Sequence, residues 1–123
     1  MSRVNESDSR SYDPLIVSGL KLGQMDFIPA DNAVITMGHP PVLRMTPAGA
    51  IDILMPASNE QTKGMVFWLH NIGAGGIITL KTSGDAAFSP AITIAVSGGW
   101  VMVQCTGSAT ANVGWKVVAS NLP

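Results

Sequence analysis

The sequence predicts an all-β protein: a single β-sandwich, jelly-roll-like and of about eight strands, preceded by an extended N-terminal arm. Three observations lead there. Short runs rich in Val, Ile and Thr alternate with clusters of Gly, Pro, Asn and Ser from about residue 33 onward. No stretch repeats apolar residues at i, i+3, i+4 and i+7, so no long helix is expected. The chain has 123 residues, enough for one packed core and too few for two.

Residues 1–32 read as the arm and its lead-in, and residues 33–123 as the sandwich. The opening MSRVNESDSRSY is polar and charged, with one aliphatic residue. It lacks the apolar surface to offset its ordering entropy, so any order there must come from a partner. Positions 1–31 carry Arg3, Arg10, Lys21, Glu6, Asp8, Asp13, Asp26 and Asp31, whereas all later positions carry seven charges. Residues 13–32 place Pro14, Gly19, Gly23 and Pro29 among short apolar pieces, an extended lead-in with room for one strand near 15–18.

Strands are then expected near 33–37, 42–46, 50–55, 64–72, 77–82, 91–96, 99–106 and 113–119. Every break between them holds residues that turns need: Pro presets φ, Gly supplies positive φ, and Asn, Asp and Ser bond their own backbone. Alternation assigns faces. Ile92, Ile94 and Val96 share one side, with Thr93 and Ala95 on the other. Trp100, Met102 and Gln104 oppose Val101, Val103 and Cys105. Val113, Trp115 and Val117 point one way. The strand at 64–72 is apolar on both sides, Met65/Phe67/Leu69 against Val66/Trp68/His70/Ile72. Such a strand is central to a core or covered by another subunit, and the second reading is favoured for part of it.

Composition narrows the function. Hydrophobic residues make up 46% and charged residues 12%, against roughly 25% charged in an ordinary soluble domain. The deficit suggests that other chains cover some surface. A net charge of −1 without a Lys/Arg cluster argues against direct nucleic-acid binding. No apolar run is long enough to span a membrane, and the N-terminus lacks the pattern of a signal peptide. The single cysteine, Cys105, forms no intrachain disulfide. Folding in a reducing cytoplasm is therefore expected.

Nothing in the chain reads as an active site, and no enzyme activity, metal or cofactor is expected. His39, His70 and Cys105 lack the close spacing of zinc ligands. No Gly-x-Ser-x-Gly elbow exists. Glu60 and Asp85 fall in turn-rich segments, leaving Asp52 without an obvious partner carboxylate for glycosidase chemistry. Residues 73–76, Gly-Ala-Gly-Gly, lack the Lys-Ser/Thr of a phosphate loop and read as a hairpin turn between the strands at 64–72 and 77–82. Trp68, Trp100 and Trp115 could stack on sugars, but their neighbours are Val, Met and Leu, which favours core or interface packing.

The stretches Gly64-Met65-Val66-Phe67-Trp68-Leu69-His70-Asn71, Gly75-Gly76-Ile77-Ile78-Thr79-Leu80-Lys81-Thr82 and Gly98-Gly99-Trp100-Val101-Met102-Val103-Gln104-Cys105 resemble small β-sandwich virion proteins of tailed bacteriophages. These include capsid decoration (cement) proteins and domains of head and tail fibres. The resemblance covers roughly residues 48–118 and is one of strands and turns. It implies a homotrimer on the outer capsid surface that holds neighbouring major capsid protein subunits together, folded in the host cytoplasm before assembly. The expected subunit or capsid interface comprises Tyr12, Leu15 and Ile16 in the arm and Val66, Trp68 and His70 in the sandwich. A tail-fibre, head-fibre or baseplate component is one alternative, and a carbohydrate-binding β-sandwich module is another.

Overall fold

A computed structural model describes residues 21–121. Nine strands build two facing sheets: β1 (Gln24–Phe27), β2 (Ala33–Val34), β3 (Val42–Met45), β4 (Ile51–Leu54), β5 (Val66–Asn71), β6 (Ile78–Lys81), β7 (Ala87–Ile94), β8 (Gly99–Cys105) and β9 (Trp115–Ser120). The five-stranded sheet runs β1-β3-β5-β8-β9 and the four-stranded sheet β2-β4-β6-β7. Apart from one 3-10 turn at Ala111–Val113, the described residues hold no helix.

The β-sandwich is as the sequence predicts, but its winding is not that of a jelly roll, whose strands run antiparallel. From β1 to β6 the chain crosses to the other sheet after every strand. Each return lays a strand beside its predecessor in the same direction. Gln24 thus lies opposite Val42, and Val42 opposite Trp68, all parallel. Ala33 and Ile53, then Ile53 and Leu80, pair likewise in the other sheet. Only the last strands reverse: β7 folds back along β6, β8 along β5 and β9 along β8.

Apolar alternation drives this arrangement, because one face of each strand must leave water. Leu43, Met45, Phe67, Leu69, Val101, Val103, Cys105 and Trp115 point inward from one sheet. Ile51, Ile53, Ile78, Leu80, Ile92 and Ile94 meet them from the other. Two buried polar groups tie the layers. Asn71 Nδ2 donates to the Gly76 carbonyl at 2.9 Å and the Ile94 carbonyl at 3.3 Å. Trp115 Nε1 donates to the Pro56 carbonyl at 2.9 Å.

Residues 73–76 are therefore not a hairpin turn. They arch from β5 in one sheet to β6 in the other, and they stack on the preceding arch at residues 47–50. The glycines are a consequence of that stacking. A Cβ on Gly75 would fall on the Pro47 carbonyl oxygen, and one on Gly76 on the Ala50 nitrogen. Only the missing Cβ at positions 75 and 76 lets the two backbones approach this closely.

Strand boundaries also shift, most in three places. Residues 24–27, read as lead-in, form the edge strand β1, because Met25 and Phe27 pack against the core beside Leu43 and Met45. The strand expected at 33–37 shortens to Ala33–Val34, although Ile35 still donates to the Leu54 carbonyl. β7 begins at Ala87, inside the break expected at 83–90, and is bulged where Lys81 pairs with Ala87. The strand expected near 15–18 lies outside the described residues.

Candidate binding face on the five-stranded sheet

Inward packing of alternate residues leaves the others on the outer face of the five-stranded sheet. β5 contributes Val66, Trp68 and His70, and β8 contributes Trp100, Met102 and Gln104. Register then aligns them in rows across the sheet. One row runs Gln24, Val42, Trp68, Met102 and Ala119. The next runs Asp26, Arg44, His70 and Trp100.

The centre of this face is aromatic. The Trp68 and Trp100 rings lie 5.6 Å apart, edge to face at 66°. His70 sits 5.2 Å from Trp68 and 6.5 Å from Trp100. Arg44 and Asp26 form an ion pair at 3.4 Å on one flank. Gln104 Nε2 donates to the Gly64 carbonyl at 3.3 Å on the other. The Trp68 indole N–H is buried and has no hydrogen-bond partner among the described residues, where a donor left unpaired usually costs stability. Burial lowers the His70 pKa below its ordinary value, and the nearby Arg44 charge lowers it further.

Of the residues expected at an interface, the structure gathers Val66, Trp68 and His70 on this one face. Tyr12, Leu15 and Ile16 lie outside the described residues. Trp100, weighed in the sequence with Trp68 and Trp115 for core or interface packing, joins the face, as do Met102, Val42, Arg44 and Asp26, which were not expected at an interface. Their alternation is visible in the sequence, but their meeting depends on strand order. Trp115 separates from the other two tryptophans. It points inward, 5.8 Å from Phe67, and is 3% exposed.

The remaining chemical candidates are dispersed. His39 Nδ1 accepts from the Thr36 backbone N–H at 3.0 Å inside its own turn. Asp52 pairs with Lys81 at 3.3 Å on the outer side of the four-stranded sheet. Cys105 is buried against the Ser58 and Thr62 hydroxyls, each at 3.4 Å. Burial pushes its thiol pKa up. Hydrogen bonds from Ser58, Thr62 and the Gly107 and Asn59 backbone together outweigh this and lower it. Among the described residues no three His, Cys, Asp or Glu side chains cluster as metal ligands. No helix there is long and apolar enough to cross a membrane.

Comparisons with protein-family models, with curated proteins and with solved structures return no match.

Proposed function

We propose that this chain is a non-enzymatic structural protein of a phage virion. In this reading it is a trimeric capsid decoration protein that docks on the major capsid protein lattice from outside and stabilises the head. The observation that carries the reading is the outer face of the five-stranded sheet, where Val66, Trp68, His70, Trp100 and Met102 stand together. Aromatic anchors flanked by an Arg-Asp pair match the composition of protein contact surfaces, whose energy concentrates in Trp, Tyr and Arg. The resemblance of residues 48–118 to small virion sandwiches supports the same assignment. The polar arm, able to wrap a partner at low affinity per unit area, suits attachment across subunit seams.

The same face admits a second reading, because paired tryptophans beside Asp26, Arg44 and His70 could hold a sugar. The 66° angle between the rings weighs against it. A saccharide stacks on an exposed, flat ring face, and edge-to-face rings offer no shared plane.

Co-sedimentation with capsid shells that lack the protein tests the reading. Trp100→Ala and Trp68→Ala are expected to lower shell binding at least tenfold while the protein stays folded. Removing residues 1–13 is expected to weaken binding further. Unchanged binding by both tryptophan variants overturns the proposed face. A saturable change in tryptophan fluorescence on titration with glycans, with no shell binding, selects the sugar-binding reading instead.

A further inference from the structure

The two sheets part along one side. β9 and β7 are the edge strands there. Two adjoining hollows of about 320 and 430 Å³ run between them. Ile77, Ala91, Ile92, Trp115 and Val117 make the lining apolar, and Lys116 is the charged residue at its rim. Among the described residues, a groove of this kind exposes both apolar side chains and an unpaired strand edge.

The two edges differ. β7 contains Pro90, which has no N–H to donate, and is bulged along the same stretch. Both features blunt an edge against further pairing. β9 contains neither proline nor glycine, and every residue after Trp115 is exposed. Val117, which lines the groove, is 43% exposed, and Val118, which does not, is 46% exposed. A strand added to β9 therefore meets exposed apolar side chains at consecutive positions, Val117 and Val118.

We infer that residues 14–20 of a second copy of this chain add as a strand to the free edge of β9 and fill the groove. The run Leu15-Ile16-Val17 is apolar at consecutive positions, so it serves both faces: Leu15 and Val17 enter the groove and Ile16 lies over the outer side. Asp13, just before it, complements Lys116 at the groove rim. Geometry selects a second copy over the chain's own arm. β1 and β9 are opposite edges of a five-stranded sheet, about 19 Å apart at the usual strand spacing. Residues 21–23, which join that added strand to β1, reach about 10 Å when fully extended. That is too short to cross the sheet. An arm leaving one edge and a groove at the opposite edge make a head-to-tail contact, which closes into a three-membered ring when each copy is rotated by a third of a turn from the last. The inference thus deepens the trimer reading, on which it rests, and is independent of what the aromatic face binds.

Light scattering on the full chain is expected to give three times the 12.8 kDa chain mass. The arm variant Leu15→Asp/Val17→Asp and the groove variant Val117→Arg are each expected to fall to the monomer mass with unchanged far-ultraviolet circular dichroism. Should Val117→Arg lose that spectrum, Ala91→Arg, which also faces the groove, takes its place. Mixing the two monomeric variants is expected to restore a species of twice the chain mass, because the intact arm of one enters the intact groove of the other. A mixture that stays monomeric shows that the arm seats on its own chain and overturns the inference, as does an arm variant that remains trimeric. A full chain that is monomeric overturns the trimer reading as well, whereas loss of shell binding alone leaves arm exchange untouched.

Discussion

Replacing Gly76 with alanine places a Cβ closer to neighbouring backbone than it would at any other glycine of the described residues. The new Cβ would overlap the Ala50 nitrogen and the Gly49 carbonyl carbon and stand 2.7 Å from Ala50 Cα. Ordinary contact begins at 3.4 Å, so clearing Ala50 Cα alone takes about 0.7 Å, and the two overlapped atoms require the arch at residues 47–50 to retreat by more than about 1 Å. The Ile51 N–H donates to the Ile77 carbonyl at 3.1 Å, beside this contact. A retreat of that size stretches the bond beyond useful length, a loss of about 1 kcal/mol or more for a buried pair. Overpacking adds about 1–3 kcal/mol. The expected destabilisation is about 3 kcal/mol, which lowers the melting temperature by roughly 10 °C in a domain of this size. Gly49→Ala is the control, since nothing lies within 4 Å of its Cβ. It should be neutral or stabilise by up to about 1 kcal/mol by restricting the unfolded chain. Thermal melts and urea titrations of both variants decide the matter. A Gly76→Ala protein that melts within about 3 °C of the parent would refute the stacked-arch account.

Three further outcomes are expected. The folded state lowers the His70 pKa, so the unfolded chain binds its proton first as pH falls. Stability from this group is complete above the ordinary imidazole range and declines as pH drops through about 6.5 toward the folded value. Urea midpoints at pH 7.5 and 5.5 should therefore differ less in His70→Gln than in the parent. Trp115→Phe keeps the ring in the core but abandons the Pro56 carbonyl, and denaturant titration should show a loss of about 1–2 kcal/mol. Cys105 is 2% exposed, so a thiol reagent should label it at the rate of unfolding and faster only in denaturant, whatever its lowered pKa.

Face assignment was legible wherever strict alternation met a partner sheet. Ile92 and Ile94 against Thr93, and Val101 and Val103 against Trp100 and Met102, fall as the period of two dictates. The winding was not legible, because parallel and antiparallel neighbours impose the same alternation. Residues 73–76 show why. A Gly-rich break reads equally as a hairpin or as an arch between sheets, and only the proximity of residues 47–50 distinguishes them. β1 was missed for a related reason: Gln24 to Phe27 is too short and too mixed to stand out, and it becomes a strand because β3 offers an edge. The candidate site was half legible. Val66, Trp68 and His70 follow from a strand apolar on both sides, whereas Trp100, Met102 and Arg44 reach them only through register.

The chain's habit of crossing between sheets from β1 through to β6 makes each circuit there interchangeable in kind. One circuit lengthens both sheets by a single strand and leaves the antiparallel closing strands β7, β8 and β9 as they were. A duplicated circuit spliced between β4 and β5 would thus widen the molecule by about 5 Å per sheet without disturbing either end. Width in this architecture can grow in whole turns, so the spacing between the β1 and β9 edges is a dimension that duplication could tune step by step.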